Sequence, residues 1–219
     1  LPSGAKAAGD DPRMTDLSGK QVLITGGGTG VGADMARGFA AAGAQVVIAG
    51  RRSAPLEAVA DGSDQIRPVI CDVTDETSVR SMFAAAGPCD LVIANAGAAD
   101  TAPFGRTTLE QWNAMMAVNL TGVFLTLREG LNQFTGWGRL SSVASTAGLK
   151  VYGYVSAYTA AKHGVVGMTR AEAQEVAKKP VTVNALCPGF LDTEMTDRSV
   201  ANIIDKTGMD EAAARKELA

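Results

Sequence analysis

From residue 20 onward, short apolar runs rich in β-branched residues alternate with longer alanine-rich stretches. The runs Gln21–Thr25, Gln45–Ala49, Ile66–Cys71, Leu91–Ala94, Arg139–Val143 and Val181–Leu186 predict strands. They read as nearly continuous apolar segments, the pattern of strands buried on both faces of a sheet. Helices are predicted between them over 31–42, 53–60, 75–86, 109–131 and 157–178, with Thr74 and Asp75 as N-cap candidates for the third. Six strands alternating with helices predict an α/β fold: a single-domain, Rossmann-type doubly wound parallel sheet with helices on both faces. Ligands of such sheets bind at the carboxyl ends of the strands. The last residues read as helical fragments, Asp197–Thr207 and Asp210–Leu218, with no strand after them.

Composition narrows the class. The chain has 219 residues, 46% hydrophobic and 20% charged, which suits one globular domain with a sizeable core. A net charge of -3 gives no general drive toward nucleic acid or anionic membranes, and neither is expected as a partner. No apolar run is long enough to span a bilayer. Cys71, Cys89 and Cys187 are odd in number, widely spaced and form no CxxC pair. They argue against a disulfide framework or a zinc site and for a reducing, cytoplasmic location. His163 is the single histidine, so neither a Ser-His-Asp triad nor a multi-histidine metal site finds support, and no metal is expected. Residues 1–16 are small, polar and rich in Pro and Gly, which predicts a flexible leader before a dinucleotide-binding domain over 17–219.

The first candidate for chemistry is the turn after the first strand. QVLIT runs into GGGTGVG and then a helix. Glycines there let the chain turn tightly and let a pyrophosphate approach the helix N-terminus. Gly26-xxx-Gly30-x-Gly32 fits a slightly lengthened dinucleotide turn. Gly28-x-Gly30-x-x-Ala33 fits the shorter form, so spacing alone leaves the choice open. About twenty residues on, the second strand ends in AGRR. Gly50 stands where an acidic residue would bind the ribose hydroxyl of NAD, and Arg51 and Arg52 follow. Guanidinium groups suit a 2′-phosphate, so NADP(H) is favoured while NAD(H) stays open.

The second candidate is YTAAK, which sets Tyr158 and Lys162 on one face of a helix. A free phenol with a pKa of about 10 is a poor base at neutral pH. A neighbouring ammonium favours phenolate, and a shift of about 3 units corresponds to about 4 kcal/mol. Ser145 lies just past the fifth strand, at the same ligand edge, where it can hydrogen-bond a reacting carbonyl oxygen. His163 points away from Lys162 and reads as structural, and Cys187 reads as packing.

Taken together, TGGGTGVG at 25–32, CDV at 71–73, ANAG at 94–97, VNLTG at 118–122, ASTAG at 144–148, YTAAK at 158–162 and NALCPGFLDT at 184–193 carry a resemblance. Over roughly residues 17–200 the chain resembles a short-chain dehydrogenase/reductase of the compact, 3-oxoacyl reductase-like branch. The resemblance implies that Tyr158 exchanges a proton with the substrate oxygen. Lys162 would lower the Tyr158 pKa and hold the nicotinamide ribose, Ser145 would steady the reacting oxygen, and Asn119 would hold a relay water. Gly26, Gly30 and Gly32, with Thr29 nearby, would cradle the pyrophosphate. Asp72 and Val73 would sit against the adenine, and Asn95 would brace the central strand. Pro188, Gly189 and Thr193 would border the nicotinamide. Family members add a final strand and assemble as dimers or tetramers. The expectation is therefore a homo-oligomer, and a C-terminally incomplete domain whose last strand is missing.

The substrate is the least legible part. Phe104, Leu149, Tyr152, Tyr154, Phe190 and Met195 predict a mostly apolar pocket for a small carbonyl or alcohol compound. The resemblance makes a 3-oxoacyl thioester one choice, with Lys150 and Arg106 facing an acidic carrier, while sugars, polyols, steroids and aromatic ketones stay open. The alternative to an enzyme is a nucleotide-binding regulator or scaffold on the same fold, which turns over no carbonyl compound. An epimerase or dehydratase on a related fold generally needs a larger substrate domain than this length leaves.

Overall fold

The structure, a computed structural model, describes residues 16–189, 200–201, 204 and 208–218. Six strands form one parallel sheet: β1 (Gln21–Thr25), β2 (Gln45–Gly50), β3 (Ile66–Ile70), β4 (Leu91–Ala94), β5 (Gly138–Val143) and β6 (Val181–Leu186). Their spatial order is β3-β2-β1-β4-β5-β6. The chain winds outward from β1 to β3 and then returns to place β4 on the other side of β1. The loops after β1 and β4 diverge there and leave a crevice at the carboxyl edge. This is the expected doubly wound, Rossmann-type single domain. Among the described residues no strand follows β6.

The helices are α1 (Gly30–Ala41), α2 (Ser53–Ala60), α3 (Glu76–Ala86), α4 (Leu109–Met116), α5 (Gly122–Gln133), α6 (Ser156–Glu175) and α7 (Glu211–Leu218). Strand side chains alternate between two cores. Val22, Ile24, Val46 and Ile48 pack under Ala33, Ala36 and Ala40 of α1 and Leu56 and Val59 of α2. Leu23, Val47, Val92 and Leu140 pack on the other face with Val79 and Met82 of α3, Val123 and Leu127 of α5 and Val165 of α6. Strands β1 and β2 are therefore apolar at nearly every position because both faces are covered. Each fully buried Leu, Ile or Val contributes roughly 1.5–3 kcal/mol.

Two expectations need correction. Strand β3 is not buried on both faces: Arg67, Pro68 and Ile70 are exposed, and Ile70 is 58% accessible. It is an edge strand, and Pro68, with no N–H to donate, is tolerated there. The helix expected over 109–131 is not continuous. It contains a π turn at Ala117–Thr121 between α4 and α5. Of the two N-cap candidates for α3, Asp75 takes the role, and its carboxylate accepts from the Thr77 amide at 2.8 Å.

Candidate active site

The glycine turn resolves the spacing ambiguity in favour of Gly26-xxx-Gly30-x-Gly32. Gly26 has a φ of 68° and Gly30 one of 52°, both in the left-handed region. A Cβ on Gly32 would lie 2.2 Å from the Gly26 carbonyl oxygen and 2.5 Å from Asn95 Nδ2. The chain thus doubles back so closely that only glycine fits where α1 begins. Thr29 is the α1 N-cap, but its side chain makes no capping bond. The α1 amides consequently point into the crevice beside a backbone free of side chains, the arrangement that receives a pyrophosphate.

Thr25 and Asn95 join this turn to β4. The buried Thr25 hydroxyl accepts from the amides of Asn95 and Ala96, both at 3.1 Å, while Asn95 Nδ2 donates to the Thr25 and Gly26 carbonyls at 2.9 and 3.2 Å. Asn95 braces the central strand, as expected. The sequence signal for this role of Thr25 is a hydroxyl at the end of an otherwise apolar strand.

Arg51 and Arg52 follow β2, and both are exposed beside the turn. Asp72 follows β3 at the carboxyl edge of the sheet. Bonds from the Thr74 amide at 2.9 Å and hydroxyl at 2.8 Å, with a smaller attraction from Arg51, hold its carboxyl below the ordinary range. The Val73 side chain is buried, packed where a Cβ on Gly122 of α5 would collide with it.

At the β5–β6 side of the same edge, α6 brings Tyr158 and Lys162 together within its first two turns. Lys162 is 3% exposed. Its Nζ donates to the Val143 carbonyl at 2.8 Å and lies 5.6 Å from the centre of the Tyr158 ring. Burial lowers its pKa from 10.5 to about 8, partly opposed by attraction to Cys187. Ser145 Oγ accepts from the Ala147 amide at 3.1 Å, which leaves its hydroxyl hydrogen free to turn toward the Tyr158 phenol. The Tyr158 phenol differs from the expectation. Burial raises its pKa, the neighbouring Ser145 hydroxyl only partly opposes this, and the Lys162 ammonium does not lower it. The physical reason is that the ammonium is directed at the Val143 carbonyl rather than at the phenol oxygen.

Asn119 is wholly buried in the π turn. Its Nδ2 donates to the Ala98 and Met115 carbonyls at 2.9 and 3.1 Å, and its Oδ1 accepts from the Ala98 amide at 3.2 Å. A π turn widens the backbone by one residue, so the Met115 carbonyl is free to take the side chain. A Cβ on Gly97 would sit 3.0 Å from Asn119 Oδ1 and 3.8 Å from Lys162 Nζ. Pro188 and Gly189 follow β6, and the Pro188 carbonyl accepts from the Thr146 amide at 2.8 Å. Thr193, and with it Phe190 and Met195, lies outside the described residues, as do residues 1–15 of the expected leader and most of Asp197–Thr207.

His163 is exposed, with Nδ1 3.0 Å from the Thr159 carbonyl oxygen. Cys187 is half-buried and packs against the core. Of the predicted pocket residues, Phe104, Leu149 and Tyr154 are strongly exposed, and the Tyr152 hydroxyl is 2.9 Å from Thr146 Oγ1. A shallow recess, open to solvent, adjoins the start of α6 and includes Asp100, Gln111, Met115, Tyr154 and Ser156. Asp100 and Gln111 were not singled out from the sequence, because neither belongs to a motif.

A doubly wound α/β sheet with a glycine turn, a half-buried tyrosine and a buried lysine on one carboxyl edge defines a dinucleotide-binding class. The chain belongs to the short-chain dehydrogenase/reductase family, an oxidoreductase family: the family model described as short chain dehydrogenase matches residues 20–203. It is 36% identical over 213 residues to the D-beta-hydroxybutyrate dehydrogenase of Cupriavidus necator, covering 92% of this chain and 82% of the relative. It is 32% identical to a 3-oxoacyl-acyl-carrier-protein reductase of Rickettsia bellii, over 84% of this chain and 78% of the relative. Among solved structures, levodione reductase superposes with a TM-score of 0.85 at 32% identity, covering 94% of this chain and 82% of that one. A variant of actinorhodin polyketide ketoreductase with NADPH gives 0.82 at 30% identity, covering 91% and 81%.

Proposed function

We propose that the protein interconverts a ketone and a secondary alcohol, with NADP(H) as the favoured hydride carrier. The observation that carries this reading is the Tyr158–Ser145–Lys162 cluster on the same sheet edge as the glycine turn. The glycine turn fits the cofactor, since Gly26 and Gly32 keep its floor clear of side chains. Gly26, Thr29, Gly30 and Gly32 would hold the pyrophosphate, and Arg51 and Arg52 the 2′-phosphate. Asp72, Val73, Asn95, Pro188, Gly189 and Thr193 would border the adenine and nicotinamide ends. When bound, the reduced nicotinamide supplies the hydride that adds to the carbonyl carbon and is itself oxidised.

In this reading Tyr158 acts as the acid. As the π pair of the C=O bond moves onto oxygen, that oxygen takes the phenol proton. A phenol that burial keeps protonated at neutral pH suits the reducing direction. Ser145 donates to the same oxygen as its charge grows. Lys162, mostly charged below pH 8 and steadied by the Val143 carbonyl, would hold the nicotinamide ribose. Asn119 would hold the relay water. Relatives that act on 3-oxoacyl and hydroxybutyrate compounds support a small carbonyl substrate. The same reading takes the protein as a cytosolic homo-oligomer.

The test is Tyr158→Phe, which removes the proton and little else. NADPH consumption with a carbonyl panel should fall by about 10²–10⁴ while NADPH still binds. Turnover within tenfold of wild type would reject the proton-transfer role.

A further inference from the structure

The recess at the start of α6 is lined up to Ala157, the residue before Tyr158, and carries one carboxylate, Asp100. It is bordered by Asp100 at the outer end of the segment leaving β4, by Met115, and by Tyr154 and Ser156 at the entry to α6. The inner end of the same segment bonds to Asn119, through the Ala98 amide and carbonyl. Asp100 is fixed rather than free: its Oδ1 accepts from the Thr101 amide at 2.8 Å, and its Oδ2 from Gln111 Nε2 at 3.1 Å. Gln111 is itself held by the capping box of α4, through its bond to the Thr108 amide at 3.0 Å. On the other side, the Ala102 amide donates to the Tyr154 carbonyl at 2.8 Å, and Tyr154 is held at a φ of 65°. These two links fix the loop and the α6 entry against each other. Among the described residues no lysine, arginine or histidine lines the recess, and Asp100 makes no ion pair. Lys150, the nearby cation on the loop after β5, lies over the Tyr152 ring instead, and Arg106 does not line the recess.

We infer that Asp100 determines charge specificity: the site takes carbonyl compounds with a neutral or cationic body and rejects those bearing a free carboxylate. The inference rests on the redox reading above and deepens it. Met115, Ala102, Val155 and Ala157 give the recess apolar walls suited to a neutral ketone, ester or thioester. A substrate carboxylate would meet a fixed like charge with no cation to offset it. The 3-oxo acid related to hydroxybutyrate carries such a carboxylate, so this chain parts from the relatives named for that compound.

The experiment is kcat/KM for a matched pair, ethyl acetoacetate and acetoacetate, with NADPH. In the wild type the ester should be favoured by about tenfold or more, the factor expected of one like charge in a partly screened site. Asp100→Asn keeps an acceptor for Thr101 and should raise the acid-to-ester ratio by about tenfold. Asp100→Glu keeps the charge and should keep the ratio. A structural role would disturb both variants alike and move neither ratio. Equal wild-type use of acid and ester, or an unmoved ratio in Asp100→Asn, overturns the specificity assignment and leaves the redox reading standing. Absence of turnover with every carbonyl compound would instead overturn the redox reading, and the specificity with it.

Discussion

Lys162 allows a prediction that needs no substrate. The residue is 3% exposed, and among the described residues its ammonium forms no ion pair and has one acceptor, the Val143 carbonyl at 2.8 Å. Burial lowers its pKa from 10.5 to about 8. In the unfolded chain the group keeps its ordinary value, so between pH 8 and 10.5 the unfolded state binds more protons than the native one. Stability therefore rises with pH across that window. The burial penalty is fully present below the folded value and is relieved as pH passes the unfolded one; the shift corresponds to about 3 kcal/mol. Lys162→Met keeps length and removes the titration. It also leaves the Val143 carbonyl without its donor, at a cost of about 1–2 kcal/mol. The variant should thus be more stable than wild type by about 1–2 kcal/mol at neutral pH and less stable by a similar amount near pH 10.5. Urea unfolding followed by Trp112 and Trp137 fluorescence reads both, and titrations common to the two proteins cancel in the difference. Cys187 attracts Lys162, so the pair is repeated in a Cys187→Ala background. A stability difference constant to within about 0.5 kcal/mol over that range refutes the buried, unpaired ammonium.

Two further outcomes follow from the nucleotide side. Arg51→Ala with Arg52→Ala should weaken NADPH by about tenfold or more while changing NADH little, as loss of two phosphate partners requires; fluorescence titration with both cofactors decides, and equal loss removes the basis for the NADP preference. Gly32→Ala places a methyl 2.2 Å from the Gly26 carbonyl oxygen, so urea unfolding should show a loss of about 2 kcal/mol or more, and near wild-type stability would contradict the tight doubling of the turn.

The doubly wound sheet was legible because β1 and β2 are buried on both faces and must be apolar at nearly every position. Edge strand β3 obeyed that rule less well: Arg67 and Pro68 are permitted by its place in the sheet, which no local pattern states. The catalytic candidates were legible because Tyr158 and Lys162 are one helical turn apart, a short-range fact. Their electrostatics were not. Whether the ammonium lowers the phenol pKa depends on where the lysine nitrogen ends, and the Val143 carbonyl, brought in by another strand, takes it. The π turn was hidden for the same reason. Residues 117–121 have helical propensity, and the break is fixed by Asn119 bonding to Ala98 across the fold.

The bonds around residues 94–98 explain why these two half-sites keep a fixed relation. Only between β1 and β4 do neighbouring connections leave the sheet in opposite directions, so backbone amides there lose their ladder partners. Thr25 supplies one hydroxyl that takes two of them, from Asn95 and Ala96. Asn119 supplies the amide that pairs with both backbone groups of Ala98. Each such bond nets only about 1 kcal/mol, but an orphaned buried amide costs about 1–3 kcal/mol, so apolar residues at positions 25 and 119 are disfavoured whatever they add in packing. The result is that one five-residue stretch is pinned to the glycine turn at one end and to the floor beneath Lys162 at the other. A shift of that stretch moves both, which makes the distance from pyrophosphate cradle to phenol a property of the sheet rather than of the loops that border it.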